Sequence, residues 1–297
     1  MERTLLSMRT VLRSLSIALF LIATVNTARL FGQTIPISQL SEDKAAALGE
    51  SALCPREEVI SGVILHAREL VENVNRFTAT ESLENERLNH SGKLEEKVHS
   101  KSKYVATIQK EDGVFVVDEY RELPQRMRNF PLYVSSTGAV ALALIFHPSH
   151  VEEFDVSCVG SKEWHGQIVW QVDFQQRKDR PVTMSGIQIG RDFFPLFLNG
   201  FALVDRDTRQ IVHIEADLAD PIPQAKLELE HQSADYRSVP FTQRDISLWL
   251  PQLAEVTVGI GGKKLVERHT FSDYQLFFVD TEQKIGKPKD SANGALE

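Results

Sequence analysis

The stretch that decides the fold class is Gln167–Gln175, which reads QIVWQVDFQ. Its side chains alternate in polarity, and a period of two is typical of a strand with one buried face. The side chains predicted to face the interior are Ile168, Trp170, Val172 and Phe174. The opposite face carries Gln171, Asp173 and Gln175. Such a strand is expected in an antiparallel sheet that has one face in solvent.

Similar segments continue on both sides of this stretch. The further predicted strands are 77–88, 94–109, 114–121, 181–190, 201–204, 210–218, 225–236, 246–250, 254–260 and 264–279. The segment 246–250 is expected to end at Pro251, and 139–146 is apolar enough to be either a strand or a short helix. Two hairpins are predicted, at the polar turn Asp205–Arg209 and at Gly261-Gly262-Lys263. Because strands and helices do not alternate, the sheet is expected to be mainly antiparallel.

One long helix is predicted after Pro55, from Arg56 onward. Its apolar residues recur at steps of three and four and form one stripe: Val59, Val63, Ala67, Leu70, Val74 and Phe77. The fold class is therefore predicted to be mainly β (α+β), with about ten strands covered by one long helix and minor helices.

The N-terminal residues have the pattern of a secretory signal peptide, predicted to span residues 1–32. Arg3, Arg9 and Arg13 precede the apolar run Leu15–Val25, which is too short to cross a bilayer. An uncleaved amphipathic anchor is the alternative. No second apolar run of that length follows, so the mature chain is predicted to lack a transmembrane segment and to be periplasmic or extracellular.

Beyond the signal, 33–55 is predicted to be a lead-in segment, 56–281 a single domain and 282–297 a polar tail. The chain has 297 residues, with 33 Lys and Arg against 41 Asp and Glu. Removal of residues 1–32 takes away four arginines and one glutamate, which leaves a net charge of about -11. This acidic balance argues against a nucleic-acid partner.

The two cysteines, Cys54 and Cys158, do not form a C-x-x-C motif. An oxidising compartment would allow them to form a disulfide. Two buried free thiols are equally compatible with the sequence, because spacing does not report the Cα separation that a disulfide requires.

Common catalytic signatures are absent from the sequence, including G-x-S-x-G, H-E-x-x-H, the Walker lysine loop and C-x-x-C. The best candidate for a metal site is His147 and His150, followed by Glu152, Glu153 and Asp155. Pro148 and the strand-like residues after His150 argue against ligand geometry. No metal site, cofactor or catalytic residue is predicted, and a hydrolase or metalloenzyme based on this region is the weakest hypothesis.

Four segments stand in a characteristic order along the chain: LVENVNRFTATE at 70–81, FALVDRDTRQIV at 201–212, LWLP at 248–251 and RHTFSDY at 268–274. Together with the secretory signal, they resemble the periplasmic lipoprotein-carrier group, which includes outer-membrane lipoprotein-sorting proteins and related sensor domains. The layout is even more similar to that of a secreted family from soil-type bacteria. The resemblance implies a strongly curved antiparallel half-barrel, with helices on its concave side and an apolar cavity that accepts acyl chains.

The residues expected to line such a cavity come from the helix stripe and from the strand quoted above: Val63, Leu70, Val74, Phe77, Ile168, Trp170, Val172 and Phe174. The same side chains could instead fill a solid core. The first hypothesis is therefore a non-enzymatic protein that binds a lipid, an acyl chain or a lipidated segment. The second is an envelope interaction or sensor module with a filled core and a protein partner.

Overall fold

A computed structural model describes residues 54–74, 76–111, 113–122, 139–189 and 192–277. All of them belong to one compact unit within residues 50–297. The predicted signal peptide and polar tail, and all of the lead-in segment before Cys54, lie outside the described residues.

The long helix, α1, spans Arg56–Asn73 and buries the predicted apolar stripe. Asn73 Nδ2 donates to the backbone oxygen of Glu69 at 2.8 Å, which satisfies one carbonyl of the last turn. Val74 is already extended. The helix therefore ends before the last two predicted members of the stripe, Val74 and Phe77, and Phe77 lies in the first strand, where it is fully buried.

Several strands extend beyond their predicted bounds, whereas the predicted strand 181–190 is wrong at its start, because 181–185 are not strand and pairing begins only at Gly186. A short helix, α2, lies at Ala139–Ala143. The strands are β1 Arg76–Leu88, β2 Leu94–Glu111, β3 Val114–Arg121, β4 Phe154–Trp164, β5 Gln167–Gln176, β6 Gly186–Ile189, β7 Asp192–Pro195, β8 Leu198–Asp205, β9 Ile211–Leu218, β10 Leu227–Phe241, β11 Ile246–Ile260 and β12 Lys263–Phe277. Three 3₁₀ turns complete the described elements, at Leu144–Phe146, Val151–Glu153 and Pro223–Ala225. The ambiguous apolar segment 139–146 is thus helical.

Ten strands form one antiparallel sheet in the order β3-β2-β1-β12-β11-β10-β9-β8-β5-β4. Among the described residues, β3 and β4 each pair on one side only, so the sheet does not close. This open, mainly β architecture confirms the predicted half-barrel. Strands β6 and β7 form a separate two-stranded antiparallel sheet.

Both predicted hairpins are confirmed. At the β8–β9 turn, Asp205 Oδ1 accepts hydrogen bonds from the backbone N–H groups of Asp207 and Thr208. At the β11–β12 turn, Gly261 and Gly262 have positive φ angles of 56° and 72°, which glycine adopts without steric cost.

The prediction that a strand ends at Pro251 is wrong, because β11 continues through this residue. The register of β10 against β11 shifts between Asp235 and Tyr236, opposite Pro251. Pairing with β12 begins only at Leu253. A bulge thus accommodates the missing proline N–H inside a central strand.

Candidate functional site

Most of the side chains predicted to line a cavity lie together in the apolar core between the helices and the sheet. Seven are buried within one cluster: Val63, Leu70, Val74, Phe77, Trp170, Val172 and Phe174. Ile168 is 48% exposed and lies outside it. The alternation of β5 breaks near its start, where Val169 and Trp170 are both buried.

Aromatic rings fill much of the interior. Phe174 meets both Phe146 and Phe154 edge to face, with ring centroids 5.9 Å apart in each pair. Phe77 packs against Tyr104 at 5.9 Å and against Tyr274 at 5.5 Å. These spacings are those of ordinary aromatic packing in a core.

A cleft remains between α1 and the strands β9 and β11. Its apolar wall includes Val63, Ala67, Leu70, Ile211, Leu248 and Trp249, and its polar rim includes His66, Glu69, Gln210 and Ser247. The cavity volume is about 50 Å³, whereas small-molecule sites usually need about 300–1,000 Å³. In this conformation the cleft has room for one or two water molecules, since a water occupies about 30 Å³ in the liquid.

The N-terminal half of α1 is fastened to the sheet by contacts that the sequence did not predict. Arg56 Nη2 donates to the backbone oxygen of Val156 in β4 at 3.1 Å. His66 Nε2 lies 2.8 Å from the backbone oxygen of Thr208, and Arg209 pairs with Glu58. Because both Thr208 and Arg209 belong to the β8–β9 turn, this turn holds the N-terminal half of α1 against the sheet.

A disulfide joins Cys54, just before α1, to Cys158 in β4, with the Cα atoms 6.0 Å apart. At its other end, α1 runs within three residues into β1. The helix is therefore held on the sheet at both ends. A second cover comes from α2 and the 3₁₀ turn after it, where Val140, Leu142 and Leu144–Phe146 are buried.

The candidate metal residues form a structural network instead. His150 is fully buried; its Nε2 lies 2.8 Å from the backbone oxygen of Phe115, and its Nδ1 lies 3.1 Å from Thr183 Oγ1 and 3.3 Å from Glu153 Oε1. The Nδ1 of His147 turns to Ser149 Oγ at 2.7 Å. Within the described part of the chain, no group of three or more His, Cys, Asp or Glu residues has metal-binding geometry.

The environment of this network shifts two pKa values. Burial and the neighbouring charge of His150 lower the pKa of His147. Burial alone would raise the pKa of Glu153, but hydrogen bonds from His150 and Thr183 outweigh it and hold that pKa below its usual range.

A second buried network joins side chains of β1, β3 and β12. Arg121 Nε donates to Glu81 at 2.7 and 2.9 Å, and its Nη2 donates to Glu119 at 2.8 Å. His269 Nδ1 lies 2.8 Å from Glu81 Oε1. Burial raises the pKa of Glu119; for Glu81, bonds from His269 and Arg121 outweigh burial and lower the pKa. No local motif could have revealed this network, because only tertiary pairing brings these strands together.

No helix in the described residues combines the length and the apolar character needed to span a membrane.

Comparison with known proteins finds no matching protein-family model and no matching curated protein. Solved structures that match include a DUF1329 family protein from Desulfovibrio piger, at 12% identity and a TM-score of 0.40, covering 73% of this chain and 92% of the other. A putative outer membrane lipoprotein-sorting protein domain from Vibrio parahaemolyticus matches at 11% identity and a TM-score of 0.39, covering 77% and 95%. A LolA superfamily protein from Nitrosomonas europaea matches at 9% identity and a TM-score of 0.38, covering 74% and 94%.

Proposed function

We propose that this protein is a non-enzymatic binding protein of the cell envelope that takes an acyl chain or a lipidated segment into the interior of its half-barrel. The observation that carries the proposal is the cleft beside α1. There the apolar core, represented by Val63, Leu70 and Leu248, reaches a polar rim at His66 and Gln210. Such a combination suits an amphiphile, which has an apolar body and a polar end.

Ligand entry requires the covers to move, because the cleft holds only about 50 Å³. Burial of each methylene group contributes about 0.8 kcal/mol, so a chain of about ten such groups gains about 8 kcal/mol toward the cost of opening. Since α1 is fastened at both ends, the element expected to move is the short cover formed by α2 and Leu144–Phe146. Apolar packing holds much of this cover, and an acyl chain can replace such packing without leaving polar groups unpaired.

Two observations support an exported, non-enzymatic role. The signal-peptide pattern of the sequence and the disulfide both fit the periplasm or the extracellular space. His147 and His150, the best candidates for chemistry, are engaged in internal hydrogen bonds.

The test is to purify the exported protein and extract it for lipid analysis by mass spectrometry, then titrate the stripped protein with a fluorescent fatty acid. Ala67 and Ala143 both line the cleft and are nearly buried, so Ala67→Leu and Ala143→Leu should fill it and weaken acyl binding. Leu65→Ala is the matched control, because Leu65 is 41% exposed and absent from the lining. The proposal would be rejected if the wild type retained no lipid on purification and also showed no saturable binding of the fatty acid.

The small cavity volume favours a second candidate, an envelope interaction module with a permanently filled core. In that case the sheet edges would be the docking surfaces, since unpaired strand edges accept further strands. Cross-linking in an envelope fraction tests this candidate. Recovery of one reproducible partner without bound lipid would support it, and the absence of any reproducible partner would weaken it.

A further inference from the structure

A second hollow, distinct from the cleft, lies where the start of α1 meets β5 and the β8–β9 turn. Its volume is about 480 Å³, and its lining residues are Pro55, Ile168, Trp170, Arg206, Asp207 and Arg209. The acyl-chain proposal gives no role to this hollow.

Two lining side chains carry buried N–H donors that have no acceptor among the described residues. Trp170 is only 4% exposed, and its Nε1 is unpartnered. Arg209 uses Nη2 to pair with Glu58, whereas its Nε and Nη1 are buried without a partner. All three unpartnered atoms are donors, so the missing group is an acceptor.

Leaving buried donors unpaired destabilises a protein, and each such group in a native structure calls for an explanation. An oxyanion has several acceptor oxygens and is the kind of group that such N–H donors bind. Arg206 adds a further guanidinium, which is exposed and lies over the Trp170 ring with its Cζ 4.6 Å from the centroid. Asp207 also lines the hollow and Glu58 neutralises part of Arg209, so hydrogen bonding rather than net charge would hold the anion.

We propose that this hollow binds a phosphate group, either free or carried by a lipid head. Phosphate has several acceptor oxygens, and arginine is the side chain that best matches them. Ile168, at 48% exposure, and Pro55 offer apolar contact to the organic part of a phosphate ester. Arg209 directly precedes Gln210 on the rim of the cleft, so a phospholipid could place its phosphate here and its chain beside α1. Binding of free phosphate does not depend on the proposed acyl-chain function.

The test is calorimetric titration of the folded protein with inorganic phosphate, and separately with phosphatidic acid in mixed micelles. Arg206→Gln and Trp170→Phe should each weaken phosphate binding by about tenfold, because each removes donors to a charged group. Trp170→Phe keeps an aromatic ring and removes only the indole N–H. Arg237→Gln, at an exposed arginine outside the lining, is the charge-matched control and should change nothing.

Saturable binding of either phosphate source that Arg206→Gln weakens and Arg237→Gln does not would support the site, and the arm that binds identifies the source. Two results would overturn it: no binding in either arm, or binding that Arg206→Gln leaves unchanged. Because Arg206 is exposed, its substitution should not unfold the chain, which circular dichroism verifies. Loss of fatty-acid binding together with retained phosphate binding would reject only the acyl-chain function.

Discussion

The Nε2 atom of His150 lies 2.8 Å from the backbone carbonyl oxygen of Phe115. Since a carbonyl only accepts, His150 donates this hydrogen bond. Phe115 belongs to β3, at one edge of the sheet, whereas His150 precedes β4, at the other edge. A single buried imidazole thus connects the segment leading into one edge strand with the opposite edge strand.

We expect His150→Ala to lower the free energy of unfolding by about 2–4 kcal/mol, because it removes this hydrogen bond and leaves a buried gap beside the Glu153 carboxylate. Urea denaturation measures the change. His90→Ala, in the exposed β1–β2 turn, is the control and should stay within about 0.5 kcal/mol. Equal effects of the two substitutions would contradict the connecting role of His150.

Phe174 and Ile168 provide a test of which side chains of β5 face the core. Phe174→Ala should cost about 3–5 kcal/mol, because it removes a ring that packs on Phe146 and Phe154. Ile168→Ala should cost less than about 1 kcal/mol, since the side chain is 48% exposed. Thermal and urea unfolding of both variants measure the difference, and a large cost at Ile168 would show that it is buried.

Stability should fall as the pH rises above about 6.5. Burial alone would lower the pKa of His269, but its interactions with Glu267 and Glu81 outweigh burial and raise that pKa. A group with a raised folded-state pKa stabilises the fold fully below its unfolded pKa and loses this contribution as the pH passes through the folded value. Burial would also lower the pKa of His213, but hydrogen bonds with Asp235 and Glu215 outweigh burial and raise that pKa.

The measurement is the free energy of unfolding between pH 5.5 and 9 for the wild type, His269→Gln and the control His90→Gln. The decline should be smaller in His269→Gln than in the wild type and unchanged in the control. A decline of the same size in all three proteins would show that His269 does not cause it.

Reduction of the disulfide should destabilise the protein. Cys54 and Cys158 are 104 residues apart, and closing a loop of this length restricts the unfolded chain by about 4–5 kcal/mol. Unfolding with and without a reductant measures the loss, and the double variant Cys54→Ser/Cys158→Ser should be insensitive to the reductant. Two titratable thiols in the native protein before reduction would contradict the disulfide.

The periodic parts of the fold were predictable from the sequence, because they depend on side-chain patterns a few residues long. The stripe from Val59 to Leu70 predicted α1, and the turns at Asp205–Arg209 and Gly261–Gly262 predicted two hairpins. Pro251 gave the wrong strand end, because the bulge that accommodates it depends on the register of β10.

The sequence by itself determined that the chain forms a mainly antiparallel sheet covered by a long helix, since alternation and helical periodicity are local properties. Only the tertiary structure decided which apolar side chains fill the interior, that Ile168 lies outside it, and that His150, Glu81 and Trp170 meet partners or hollows built from distant strands. Those outcomes depend on strand register and on the packing of covers across the sheet, and neither is encoded within any single segment.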